Sequence, residues 1–172
     1  MHYGVARNRP ATRPWLGAPR TMSTENDNPL LLANQACFAL YSANLAMTRV
    51  YRPLLEALEL TYPQYLAMLL LWEQDGQTMK ALGERLLLDS GTLTPLLKRL
   101  EGQGLVTRGR DPADERLVRI HLTPQGTALR ERATGLPERI AAAANCPLPD
   151  LAGLRDALLS LRDSLNAAAD RD

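Results

Sequence analysis

Hydrophobic positions follow a helical period through most of the chain and switch to a period of two over one short stretch. From Pro29, apolar residues recur at Leu30, Ala33, Cys37, Leu40, Tyr41, Leu45 and Ala46, the spacing of one helical face. Pro29 suits a first helical position, where its missing N–H is no loss. Pro53 predicts a break or bend near Tyr51–Arg52. Pro63 opens a second helix from Gln64 to about Asp75, closed by Asp75-Gly76. Thr78 is placed to cap a short third helix through Leu88. Asp89, Ser90 and Thr92 are all cap candidates for a fourth, which runs to about Glu101 and stops at Gly102 and Gly104. Pro95 fits that helix only near its first turn.

The period then becomes two. Leu105–Arg110 reads as a strand, Asp111-Pro112-Ala113-Asp114 as a turn, and Arg116–Leu122 as the return strand. Thr123-Pro124 starts a long helix with a break near Gly135–Pro137. Pro147 and Pro149 bound a short connection, and a last helix from Asp150 or Leu151 carries Leu151, Leu154, Leu158, Leu161 and Leu165 on one face. A helix pair followed by a hairpin, with long helices on both sides, describes a winged helix-turn-helix. The fold class is mainly α with a small β-hairpin wing. The helix-turn-helix falls at Met79–Leu100 and the wing at Leu105–Leu122.

Composition narrows the field. The 172 residues are 45% hydrophobic and 23% charged, with a net charge of +1, which suits one ordered domain of ordinary size. The longest apolar runs, such as Tyr65–Trp72, are far short of the roughly 18 residues a membrane helix needs. Two cysteines (Cys37, Cys146), two histidines (His2, His121) and no C-x-x-C argue against a disulfide scaffold and a structural zinc site. No metal or cofactor is expected, and the expected compartment is a reducing cytoplasm. Residues 1–28 hold Arg7, Arg9, Arg13, Arg20, Pro10, Pro14 and Pro19, with no acid before Glu25. No apolar stretch follows those arginines, so they do not form a secretory signal. Two readings fit this stretch: a disordered tail, or a mis-called start in which Met22 is the true first residue and 1–21 are extraneous.

The positive charge is nearly all arginine, 18 against 2 lysines, and its placement suggests a nucleic-acid partner. In a helix-turn-helix the second helix enters the major groove with its N-terminal residues facing base edges. Ser90, Thr92 and Thr94 stand there as short hydrogen-bonding groups, and Lys98 and Arg99 follow within reach of phosphate or bases. The stretch 98–119 carries six basic residues against four acids, a net of +2 that includes Arg108, Arg110 and Arg116. Asp114 and Arg116 flank the hairpin tip, where an acid can hold an arginine for entry into a narrow minor groove. On charge alone, a solvated hairpin with ordinary ion pairs fits equally well. The preceding helix pair favours duplex DNA.

The run LTPLLKRLEGQGLVTRGRDPADERLVRIHLTPQG, Leu93 to Gly126, with its wing signature Asp114-Glu115-Arg116, resembles the MarR family of bacterial transcription regulators. The resemblance covers roughly residues 29–168. It implies a homodimer in which residues 29–60 and 124–170 form a helical dimerisation region. Residues 61–123 would then form the DNA-binding domain, and two such domains would read a pseudo-palindromic operator. The run QACFALYSANLAMTRVYRPLLEALELTYPQYLAMLLLWE, Gln35 to Glu73, resembles the organic-hydroperoxide-sensing, OhrR-type branch. In that branch a cysteine of the first helix senses peroxide and tyrosines of the dimer partner hydrogen-bond it. Cys37 matches the sensor, Tyr51 and Tyr62 match the two tyrosines, and Tyr41 matches a further nearby one. Cys146 falls where some members carry a resolving cysteine, with a spacing less well fixed than that of Cys37. The implied inducer is an organic hydroperoxide.

The chemistry is consistent with that reading and does not require it. Peroxides react with thiolates, and a buried thiol without polar partners is ordinarily an inert packing residue. Tyr41, at i+4 from Cys37, shares its face, whereas Tyr51 and Tyr62 cannot reach Cys37 along one straight helix. They need the chain to fold back or a partner subunit to supply them. Two other functions compete. One is a regulator of the same fold released by a small aromatic or phenolic ligand, with Cys37 incidental. The other is a thiol peroxidase, which the helix-turn-helix and the wing disfavour; an enzyme is not expected.

Overall fold

The computed structural model describes residues 28–171. The expectation for the N-terminal tail therefore lies, except for Asn28, outside the described residues. The described chain forms two compact units, one of residues 41–140 and one of residues 28–40 with 141–171.

Helix α1 spans Ala36–Glu56. It starts later than the periodicity suggests. The Asn28 side chain accepts the Leu30 N–H at 2.9 Å and a single 3-10 turn occupies Leu32–Asn34, so Pro29 opens a capped turn rather than the helix. Cys37 consequently lies in the first turn of α1. The helix also passes through Pro53 without breaking. Proline removes one N–H donor, but only the last turn follows it, and that turn is held by Leu55, 2% exposed.

The 41–140 unit holds α2 (Tyr62–Glu73), β1 (Gln77–Thr78), α3 (Met79–Leu86), α4 (Ser90–Gly102), β2 (Val106–Arg110), β3 (Val118–Leu122), α5 (Pro124–Ala133) and most of α6 (Leu136–Ala143). The caps expected at Thr78 and Thr123 operate, and α2 carries one that was not expected. Gln64 accepts the Thr61 N–H at 2.8 Å, Thr78 accepts the Ala81 N–H at 3.1 Å, and Thr123 accepts the Gly126 N–H at 3.0 Å. Pro95 sits in the second turn of α4 rather than the first. Having no N–H, it leaves the Gly91 carbonyl without its helical donor.

The sheet is antiparallel in the order β1-β3-β2. Val106 pairs with Leu122 and Arg110 with Val118, which makes the wing, and Gln77 pairs with Ile120. Strand β1 is too short to show a period in the sequence. The core collects the apolar stripes of α2, α3 and α4 against the wing's root: Met68, Leu71, Leu82, Leu93, Leu97, Leu100, Val106 and Ile120 are all under 2% exposed. Leu93, Leu97 and Leu100 recur at helical spacing, and each contributes roughly 1.5–3 kcal/mol by burial.

In the other unit, α7 spans Leu148–Ala169 and takes Pro149 into its first turn. None of its residues is buried in the protomer, and Leu158, Leu159, Leu161 and Leu165 are between 38% and 60% exposed. No helix among the described residues is long and apolar enough to cross a membrane.

Candidate nucleic-acid interface and thiol site

Helix α4 begins at Asp89. One carboxylate oxygen accepts the Thr92 N–H at 2.9 Å and the other accepts the Thr92 hydroxyl at 3.0 Å. The Thr92 amide, and then its hydroxyl, hold the Asp89 carboxyl below its ordinary range. Asp89 is thus the cap among the three candidates, and the Thr92 hydroxyl is committed to it. Ser90, Lys98 and Arg99 are exposed on the same helix, and Thr94 is half-buried.

The wing arginines divide by role. Arg108 grips Glu101 at the end of α4, with Nη2 at 2.6 Å and Nε at 2.8 Å from one carboxylate oxygen. Hydrogen bonding from that side chain pulls the Glu101 carboxyl down. Arg108 therefore ties β2 to the fourth helix. Arg110 donates across the hairpin to the Glu115 carbonyl at 2.8 Å. Asp114 accepts the backbone N–H of Arg116 at 3.0 Å, so this acid shapes the turn under Arg116 through its main chain. Arg116 itself is exposed at the hairpin end. Asp111, in sequence only the first residue of a turn, has a structural role. It is a buried acid that accepts the backbone N–H groups of Ala113 and Asp114 and pairs with Arg119 on β3.

The chain folds back after α1. The Tyr51 and Tyr62 rings come to 5.0 Å, and Tyr65, which in the sequence marks only an apolar run, lies 6.2 Å from Tyr51. Burial, together with the neighbouring phenols Tyr62 and Tyr65, pushes the Tyr51 hydroxyl up to about 12, and burial raises Tyr62 and Tyr65 as well. All three stay protonated donors at neutral pH. Tyr41 lies one turn beyond Cys37 along α1 and is exposed. Cys37 is an exposed free thiol in the protomer. Cys146 is a buried free thiol just past α6, with its Sγ 3.7 Å from the Pro147 carbonyl oxygen. The backbone before it takes a left-handed turn at Asn145, φ 47°.

A short helix pair, a helix with polar residues at its exposed start and an arginine-tipped hairpin define a winged-helix DNA-binding regulator. The MarR family model matches residues 60–118. The HTH-type transcriptional regulator TtmR of Methylorubrum extorquens is 50% identical over 157 residues, 90% of this chain and 80% of its own. The organic hydroperoxide resistance transcriptional regulator of Bacillus subtilis is 51% identical over 135 residues, 78% of this chain and 92% of its own. Among solved structures, overoxidised AbfR bound to DNA is 37% identical with a TM-score of 0.67, covering 80% of this chain and 94% of that one. AbfR is a Staphylococcus epidermidis protein. The chain belongs to the MarR family and is a transcriptional regulator of that type, with DNA as its partner.

Proposed function

We propose that the protein is a homodimeric repressor that leaves its operator when an organic hydroperoxide oxidises Cys37. The observation that carries this reading is an exposed thiol in the first turn of α1, in a chain 51% identical to a regulator named for organic hydroperoxide resistance. The first turn of a helix favours negative charge, the form in which sulfur attacks peroxide. AbfR has been solved reduced and bound to DNA, overoxidised and bound to DNA, and with its disulfide formed, and the disulfide form is the one that supports a thiol-based switch in this fold.

The operator is read by α4 and the wing. Ser90, Thr94, Lys98 and Arg99 face the major groove and its phosphates, and Arg116 enters the minor groove. Arg108, Arg110, Asp114 and Thr92 hold those elements in place. In the first redox step the Cys37 thiolate attacks the peroxide O–O bond. Sulfur takes one oxygen to become sulfenic acid, and the other oxygen leaves as the alcohol after taking a proton. Tyr51 and Tyr62 of the partner protomer donate hydrogen bonds to the sulfur. In the second step the thiol of the partner subunit's Cys146 attacks the sulfenic sulfur, forming an intersubunit disulfide, and the displaced hydroxide leaves as water with the thiol proton. A disulfide needs Cα atoms within about 7 Å. Where the reduced cysteines stand farther apart than that, closing the bond shifts the helices and changes the spacing of the two winged domains.

Operator binding before and after stoichiometric organic hydroperoxide tests the reading. Wild type loses binding and recovers it with dithiothreitol, and Cys37→Ser stays bound. Cys146→Ser releases reversibly only with an added small thiol. Retained binding by oxidised wild type refutes the switch.

A further inference from the structure

The buried carboxylate at the base of the wing turn is not accounted for by DNA contact. Asp111 has a side chain only 6% exposed and sits at the end of β2. Its Oδ1 accepts the N–H of Ala113 at 2.7 Å and the N–H of Asp114 at 3.3 Å. Its Oδ2 pairs with Nε of Arg119. Arg119 reaches on, donating from Nη1 to the Gly76 carbonyl at 2.6 Å. The turn at 75–76 is gripped again by the Leu122 N–H, which donates to Asp75 at 2.7 Å. Gly76 is there because φ is +72° and a Cβ would stand 3.0 Å from the His121 ring. The loop is closed at its neck, where the Asp111 N–H donates to the Leu117 carbonyl at 3.0 Å.

These bonds form a relay. The Asp111 carboxylate orients the Asp114 backbone, and the Asp114 carboxylate orients the Arg116 backbone at 3.0 Å. Arg119 anchors the start of the relay to the loop between α2 and β1. We propose that Asp111 and Arg119 are positioning residues for operator binding. They stay off the DNA and fix the 111–117 loop so that Arg116 is delivered in one conformation. This rests on the reading of Arg116 as the minor-groove arginine.

The sign of the effect separates positioning from charge. Replacing Asp111 by Asn removes a negative charge from a DNA-binding protein, so on charge alone it tightens DNA binding. Loss of positioning weakens it. Operator affinity is measured for wild type, Asp111→Asn, Arg116→Ala and the double variant, with folding followed by circular dichroism. Arg116→Ala weakens binding about tenfold or more. Asp111→Asn weakens it by about tenfold in the wild-type background and by less than about twofold once Arg116 is gone, because two residues acting as one unit do not add. Unchanged or tighter binding by Asp111→Asn, or an equal loss in both backgrounds, overturns the positioning role and leaves the wing reading standing. Unchanged binding by Arg116→Ala refutes the wing reading and the relay with it. Should Asp111→Asn unfold, Arg119→Gln, at a 39% exposed side chain, is judged by the same non-additivity.

Discussion

At the scale of single residues, Tyr51 is a phenol held protonated by its surroundings. Its hydroxyl is pushed from 10.0 to about 12 by burial first, with the Tyr62 and Tyr65 phenols adding to the shift. A folded-state value above the unfolded one means the folded protein holds that proton longer. The associated stability is fully present below pH 10, and it is lost as pH rises towards about 12. The expected result of an alkaline absorbance titration is one tyrosine ionising well after the exposed ones, and Tyr51→Phe removes that last step. If Tyr51→Phe leaves the late step in place, the packing of the three phenols has been misread. For function, the consequence is that Tyr51 is a hydrogen-bond donor throughout the physiological range, which the proposed partner of a thiolate must be.

At the scale of elements, the joint between the wing and α5 is the tightest backbone approach around a glycine. A Cβ on Gly126 would stand 2.0 Å from the Leu105 carbonyl oxygen, and that atom is backbone with little freedom to retreat. Gly126 also donates to Thr123 and accepts the Trp72 indole N–H at 2.9 Å. Gly126→Ala is expected to destabilise by about 2–3 kcal/mol, the range for overpacking, which for a chain of this size lowers Tm by roughly 5–10 °C. A melting curve within a degree of wild type would contradict the crowding. The same region shows what a linear reading can and cannot reach. The α4 cap, the two wing strands and the Thr123-Pro124 start were legible because caps, period-two alternation and proline position are local signals. The two-residue β1 was not, since it carries no period and pairs with residues more than forty positions away. The continuation of α1 through Pro53 was not, because burial of Leu55 outweighs the local rule. Cys37, Tyr51 and Tyr62 are candidates that a family pattern raises, and their role in sensing rests on the proposal above. Tyr65 and Asp111 were not legible. An aromatic inside an apolar helix reads as core, and Asp-Pro reads as a solvated turn until the fold buries the carboxylate.

At the scale of the whole molecule, the protomer leaves apolar surface that a single copy does not cover. Phe38, Leu40, Leu45 and Met47 on α1 are 39–41% exposed, and Leu158, Leu159, Leu161 and Leu165 on α7 are 38–60% exposed. Single exposed leucines are ordinary, but a run of them along one helix marks an interaction surface. Each helix face by itself fits the proposed dimer, in which residues 29–60 and 124–170 pack against a second copy. A dimer joins two winged domains, so that once one half-site is bound the other is engaged at high effective concentration, which multiplies affinity by about 10²–10⁴. Leu158→Asp combined with Leu161→Asp places two charges on α7, where a partner would bury them. The expected outcome is a monomer by sedimentation, with helical circular dichroism largely kept because both positions are exposed in the protomer. Affinity for the full operator should fall at least about a hundredfold, while binding to an isolated half-site changes little. A variant that remains dimeric and binds the operator as tightly as wild type would show that the α7 leucines do not hold the two copies together. Dimerisation and the delivery of partner tyrosines to Cys37 would then need a different face.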